Sequence, residues 1–377
     1  MSHSFLVIGE LPVDIPELVS VAISSTERLA RDLPEGLTPY YSKDGSMIAG
    51  SWPDTHPIPW TVAFWLGRLR AIEEVSGSDV VRERRVYEQE RLIASLQSDL
   101  QYYNHDLGFI GILGFTGNEQ TLIGGAAEAR EICREGLMSL VHVPSGMVDT
   151  HGGDADGEAK AIVDSFMNVP LLFSGEASEE QRATGIAHER RLWTHLRVRP
   201  GHWFQGGMFA ANGAFDRPFT KQGHAPDSTG WTRGLSWVTY GLRIALAQGV
   251  HGSEHAEIDE EISALDDRLL APGASSLVPW DLEAAHTEAK DSGALAIALA
   301  GAMQFGGSTD LLAANLQALE SAGAIETEDE SGGLLSLSTY HVPHNIGIDA
   351  HTTWGDYFYL EALLAPSGFV SPYRRLG

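Results

Sequence analysis

Two aspartates lie among residues that would otherwise pass for core. Asp164 sits in Ala161-Ile-Val-Asp164-Ser-Phe-Met-Asn168-Val-Pro-Leu-Leu, four positions before Asn168. A helix through this stretch would put both polar groups on one face, with Ile162, Val163, Phe166, Met167, Leu171 and Leu172 around them. A carboxylate in that setting loses hydration, so its pKa climbs toward neutrality and it can act as a general acid. The same segment also suits a buried aspartate satisfied by a neighbouring helix end, and it leaves both readings open. Asp106 follows Tyr102-Tyr-Asn-His105 and opens the apolar run Leu107-Gly-Phe-Ile-Gly, which reads first as a helix N-cap. Capping and chemistry coexist there if the helix opens into a cleft. A third segment runs Gln222-Gly-His-Ala-Pro-Asp-Ser-Thr-Gly-Trp231-Thr-Arg233-Gly-Leu-Ser-Trp237. Tryptophan faces stack on sugar C–H surfaces, and an arginine fork holds a carboxylate through two parallel bonds. A surface ion pair beside core tryptophans is the alternative; two tryptophans flanking an arginine at a loop-to-helix junction favour binding. Trp60-Thr-Val-Ala-Phe-Trp65 supplies further aromatics that suit either a site or plain core.

Helices must position these groups. Apolar residues recur at helical spacing, and the pattern predicts helices at 15–33, 59–76, 79–99, 106–116, 118–138, 157–173, 178–197, 228–248, 253–270, 286–305, 308–322 and 355–364. Start signals support several: Ser178-Glu-Glu-Gln, Asp291-Ser-Gly-Ala, and Ser308-Thr-Asp-Leu after Gly306-Gly307. The Gly- and Pro-bearing loops 144–156, 199–227 and 325–354 are long enough to carry function. The acidic run Glu326-Thr-Glu-Asp-Glu reads as a solvated loop. No composition shift marks a linker, so one domain over 1–377 is expected. Twelve helices without a linker suit a toroid of six helix hairpins.

Composition narrows the function. The chain carries 51 acidic and 25 basic residues, a formal net charge of −26, and only four of the basic residues are lysine. Nucleic acid is a poor partner for such a surface, because phosphate binding needs a basic footprint. Cys133 is the one cysteine; it reads as a packed core thiol in a reducing compartment. The first ten residues lack a basic n-region and a sustained apolar run, and no later stretch approaches a span of about 20 uncharged residues. A soluble, cytoplasmic protein with no membrane partner is expected. Phosphate-loop and dinucleotide glycine signatures are missing, as is a nucleophile elbow. The glycines of Gly108-Phe-Ile-Gly-Ile-Leu-Gly suit close helix packing. There are 15 histidines, yet His341-Val-Pro-His344 is the tightest pair and its proline disfavours a helical metal face. Neither a metal nor a cofactor is expected.

These segments together resemble the glycoside hydrolase family that contains the unsaturated glucuronyl hydrolases. The matching stretches run in family order through most of the chain. They are Trp60-Thr-x-x-Phe-Trp-x-Gly, His105-Asp-Leu-Gly-Phe, Ile162-Val-Asp-Ser-Phe-Met-Asn and Gln222-Gly-…-Asp-Ser-Thr-…-Trp-x-Arg-Gly, followed by Pro279-Trp-Asp, Asp291-Ser-Gly-Ala and Trp354-Gly-Asp-Tyr-Phe-Tyr-Leu-Glu-Ala-Leu. The resemblance implies an all-α fold, the (α/α)6 barrel, and an unsaturated uronic-acid oligosaccharide as partner. It implies hydration of the C4–C5 double bond of the terminal sugar, with Asp164 as general acid/base and Asp106 as a second essential carboxylate. Gln222, Trp231 and Arg233 correspond to substrate contacts, and Thr352 and Thr353 stand where the family places hydroxyls near the substrate carboxylate.

There are departures from the family pattern. In Arg199-Pro-Gly-His202-Trp-Phe-Gln205, Gln205 occupies the place of a usual histidine, with His202 nearby; both join Trp60 as substrate-binding candidates. The loop before Asp164, starting at His151, lacks a tryptophan common in the family, and one extra residue sits between Gln222 and Trp231. Two other functions remain in view. A sugar isomerase or epimerase on the same barrel would need bases flanking C2, commonly histidines, whereas the prominent groups here are aspartates. An inactive oligosaccharide-binding protein is favoured by Gln205 and the missing tryptophan, and disfavoured by the presence of both acids.

Overall fold

The computed structural model describes residues 14–43, 46–51, 58–98, 104–118, 122–152, 156–270, 277–284, 289–327 and 332–376. Among them helices dominate. In chain order they are α1 (Ile15–Asp32), α2 (Thr61–Ser76), α3 (Asp79–Leu96), α4 (Leu107–Phe115), α5 (Ala126–Ser139), α6 (Ser165–Asn168), α7 (Glu179–Leu196), α8 (Thr232–Ala247), α9 (His255–Leu269), α10 (Ser292–Gln304), α11 (Thr309–Ser321) and α12 (Thr353–Leu364). A 3-10 turn over Val169–Phe173 continues α6. The leader-free reading of residues 1–10, Tyr102 and Tyr103, and the end of the acidic run lie outside the described residues.

Burial sorts the helices into two layers. Every residue of α4, α10 and α12 is buried, and α2 and α8 are buried over most of their length. A helix apolar on all sides needs neighbours on all sides. The even-numbered helices provide them: α2 packs on α4, α4 on α6, α6 on α8, α8 on α10, α10 on α12, and α12 returns to α2. The odd-numbered helices form the outer layer, with α3 against α2, α5 against α4, α9 against α8 and α11 against α10, while α7 covers the 3-10 turn. The result is an (α/α)6 barrel. The three expected start signals all cap: Ser178 forms a full capping box with Gln181, and Asp291 and Ser308 accept from Ala294 and Leu311. Gly108 and Gly111 do allow close packing, since an added Cβ would lie 2.2 Å from the Asn168 carbonyl oxygen and 2.5 Å from Leu171.

Two expectations are corrected. The helix expected over 157–173 is instead strand β5 (Ala159–Ile162), then α6 and the 3-10 turn. The backbone of 159–162 is claimed on both edges. Lys160 carbonyl accepts from Thr150 on one side, and β8 (Gly206–Phe209) pairs antiparallel on the other. Such partners on other segments override local periodicity, and Pro170 denies the α-helix an amide further on. The loop expected at 199–227 holds strands: β6 (Arg197–Arg199) pairs β7 (His202–Trp203), and β8 pairs β9 (Phe215–Phe219). The hairpins of β1 (Leu37–Lys43) with β2 (Ser46–Ser51) and of β3 (Val141–His142) with β4 (Met147–Val148) lie outside the expected elements.

Candidate active site

Sheet β5–β8–β9 ends where the first acid begins. Val163 amide donates to the Gln205 carbonyl (2.9 Å), so pairing persists to the residue before Asp164. Asp164 then turns helical and opens α6 without capping it. Asn168 does not engage the carboxylate as a shared helix face suggested. Its Nδ2 donates to the Asp164 carbonyl (3.1 Å), and its Oδ1 accepts from the Phe109 amide (2.7 Å). Asn168 therefore joins α6 to the first turn of α4, at the close approach that Gly108 permits. Asp106 opens α4, and its side chain makes no cap bond either. The capping reading fails here, and the carboxylate is left for other work; Asn104 Oδ1 accepts the Asp106 amide instead (3.0 Å). His105 Nε2 lies 3.5 Å from Asp106 Oδ1, and its Nδ1 lies 3.1 Å from Ser165 Oγ, beside Asp164. The two acids are thus neighbours across one imidazole–hydroxyl contact.

Electrostatics sets both acids apart. Burial pushes Asp106 up to about 8, and the charge of Asp164 adds to the rise. Burial also raises Asp164, to about 6, against the pull of the Arg233 guanidinium and a backbone hydrogen bond. His105 goes the other way, down to about 3, through burial and the nearby His151, His188 and Lys160; its ring is neutral. Among the described residues Asp164 Oδ1 is buried without a hydrogen-bond partner, a costly state for a carboxylate and one suited to reaction.

Arg233 stands close enough for its charge to act on Asp164. It is only 2% exposed. Nη1 donates to the Thr339 carbonyl (2.6 Å), and Nη2 to the Tyr340 carbonyl (2.9 Å) and to Gln222 Oε1. Its guanidinium lies 4.9 Å from the Trp231 ring, 5.2 Å from Trp354 and 5.9 Å from Tyr340. Trp60 stacks on Trp354 at 4.9 Å, and Tyr40 hydroxyl donates to Tyr340 hydroxyl (2.7 Å). The second tryptophan beside Arg233 is therefore Trp354. Trp237 points into the core against Phe64, Phe109 and Phe358, and Trp65 is core as well.

The remaining candidates mostly hold these groups in place. Gln205 Oε1 accepts the amides of Lys221 (2.7 Å) and Gln222 (2.9 Å), while its carbonyl holds Val163. One residue thereby ties the Gln222 loop to the strand before Asp164. His202 is turned toward Thr229 (2.9 Å) and Glu283 (3.3 Å), and none of its bonds reaches the acids. Thr352 Oγ1 caps α12 through the Gly355 amide and meets Ser338 Oγ, and Thr353 Oγ1 donates to the Tyr40 carbonyl. Both threonines are buried, and both hydroxyls bond to the scaffold. Sequence reasoning missed Tyr40 and Tyr340, which no local signal marked. Trp354 and His105 stand out in the sequence only as parts of longer stretches. Asp281, from Pro279-Trp-Asp, gathers the His224 amide, Ser228 Oγ and the Glu283 amide and so shapes the loop leading to Trp231. Among the described residues no cluster of three His, Cys, Asp or Glu side chains is placed to hold a metal ion, and no helix is long and apolar enough to cross a membrane.

No family model matches the chain. It is 29% identical over 343 residues to the unsaturated glucuronyl hydrolase of Bacillus sp. strain GL1, across 83% of this chain and 88% of that one. It is 25% identical over 380 residues to the unsaturated chondroitin disaccharide hydrolase of Streptococcus pneumoniae, across 94% and 93%. The crystal structure of the Bacillus enzyme, described as responsible for glycosaminoglycan degradation, superposes with a TM-score of 0.82 at 25% identity over 93% of this chain and 96% of that one. A variant crystallised with dGlcA-Glc-Rha-Glc superposes at 0.81. Barrel and similarity together define a glycoside hydrolase of the (α/α)6 class. Within that class, the chain is a distant relative of the unsaturated glucuronyl hydrolases, similar to them over most of its length.

Proposed function

We propose that this enzyme, acting as one domain over 1–377, removes a 4,5-unsaturated uronic acid from the non-reducing end of lyase-generated oligosaccharides by hydrating the C4–C5 double bond. The observation that carries it is the acid pair, Asp106 and Asp164, both raised by burial and set near an arginine walled by aromatic rings. Asp164 delivers its proton to C4, and water adds to C5 as its second proton passes to the Asp164 carboxylate. The C5 hemiketal opens to a ketone, and the hemiacetal left at C1 expels the next sugar. Asp106 keeps the site short of a second negative charge near neutrality. Arg233 and Gln222, with Trp231, Trp354 and Trp60, receive the uronate, whose carboxylate complements the guanidinium. Gln205, Thr352 and Thr353 act as positioning residues, and His202 shapes the adjoining loop. The test is loss of ultraviolet absorbance from unsaturated disaccharides prepared with polysaccharide lyases. The expected result is turnover by the native chain and at least about a thousandfold loss in Asp164→Asn. Unchanged absorbance across glycosaminoglycan, gellan and xanthan fragments would refute the assignment.

A further inference from the structure

Lysine is scarce here, four residues against 51 acids, yet two of the four, Lys160 and Lys221, stand close enough to act on each other, and Lys160 acts on His105 beside Asp106. Strand register sets Lys160 opposite Met208, and Met208 opposite Arg217, so the three share one face of the sheet. Ile162, Gly206 and Phe219 carry that face toward Asp164, and Lys221 Nζ lies 5.4 Å over the Phe219 ring. Backbone bonds bring the face to the acids. His105 amide donates to the Thr150 carbonyl (3.1 Å), and Thr150 amide donates to the Lys160 carbonyl (2.8 Å). Lys160 and His151 are thereby held alongside His105, whose ring touches Asp106. Lys221 in turn precedes Gln222, with both amides on Gln205 Oε1.

Among the described residues neither lysine ammonium pairs with a carboxylate. Asp149 lies near, but its oxygens accept the His151 amide (2.7 Å) and the Lys160 amide (2.6 Å). Arg217, further out, pairs with exposed Asp216. Lys160 is half-buried, and Lys221 and His151 are exposed. Burial and the Lys221 charge hold Lys160 below its ordinary value, and burial and Lys160 do the same to His151. Like charges gathered on an acidic protein attract an anion. Two ammonium point charges suit a tetrahedral oxyanion, whereas a planar carboxylate is better served by an arginine fork.

We infer that Lys160 and Lys221, with His151 beside them, bind a sulfate ester on the saccharide that leaves. This rests on the proposed hydrolysis, in which the Arg233 end takes the unsaturated uronate and the next sugar extends past the acids over the sheet. The experiment compares two unsaturated disaccharides that differ by one sulfate, in the native chain and in Lys160→Met/Lys221→Met, which keeps the apolar stems. The native chain has the lower KM for the sulfated compound, and added salt erodes that preference. The double variant raises KM for it about tenfold, leaves the unsulfated compound within about twofold, and barely alters kcat. Equal changes for both compounds, or a preference that survives the substitution, overturn the inference. Calorimetry in Asp164→Asn separates the two claims. Lysine-dependent binding of the sulfated compound, with no turnover by the native chain, removes the hydrolysis and keeps the sulfate site. Turnover without sulfate discrimination does the reverse.

Discussion

At the scale of single residues, the two acids carry a cost that pH reveals. Their folded-state values, about 6 for Asp164 and about 8 for Asp106, lie above those of an unfolded aspartate. The folded chain therefore binds more protons, and the stability this lends is complete below an unfolded pKa of about 4 and lost as pH rises toward about 8. Asp106→Asn, neutral at every pH, should raise Tm by about 1–3 °C at pH 8 and change it little at pH 4, while kcat falls at least about a hundredfold. Thermal scans at the two pH values check the first part, and a Tm gain that is equal at both rejects the linkage. In the parent enzyme kcat/KM should decline above about pH 6, as free Asp164 loses the proton that C4 needs; a flat profile to pH 8 counts against that role. Asp164 was legible in the sequence because charge is conspicuous among apolar neighbours. Asp106 was half hidden, since an aspartate opening a helix has an ordinary explanation that only its missing cap bond removes. The scaffold bonds of Thr352 and Thr353 were not legible, because a hydroxyl's partners are not written in its neighbours.

At the scale of elements, the distance between the acids is governed by how closely α4 approaches α6. Gly108 controls it, since a methyl there would collide with the backbone of Asn168. Gly108→Ala should cost about 1–3 kcal/mol through overpacking and lower kcat by about a hundredfold, as Asp106 is displaced from Asp164. Gly124→Ala, where an added methyl meets nothing within 4 Å, serves as the comparison. Equal activity in the two variants would show that the spacing does not matter. Amphipathic and all-apolar helices were legible because their periodicity is local. The 157–173 segment was not, since its apolar residues serve a strand, a single helical turn and a 3-10 turn in succession. Its pairing partners lie some 45 residues downstream, at 206–209, and just upstream, at 149–150.

At the scale of the molecule, one ion pair ties the barrel seam. Arg68 of α2 meets Asp356 of α12 at 3.0 Å, both 1% exposed, and the arginine also holds Ser25 and Thr26 of α1. Asp356 further accepts the amides of Leu334 and Leu335. Asp356→Ala strands a buried guanidinium and two amides, and should cost about 3–5 kcal/mol in urea unfolding. A cost below about 1 kcal/mol would mean that water reaches Arg68 and the seam is not dry. The sixfold plan was legible in the count of helices. The seam was not, because nothing in residues 61–76 names a partner almost three hundred positions away.

Tyr40, Trp60, Tyr340 and Trp354 share one aromatic wall, although the first and last are separated by nearly the whole polypeptide. During synthesis the surface proposed to face the sugar therefore cannot exist until the ribosome has released residues beyond 354, however early the first hairpins collapse. Recognition is consequently among the last properties this chain acquires, and incomplete translation products, even ones already compact, are blind to saccharide.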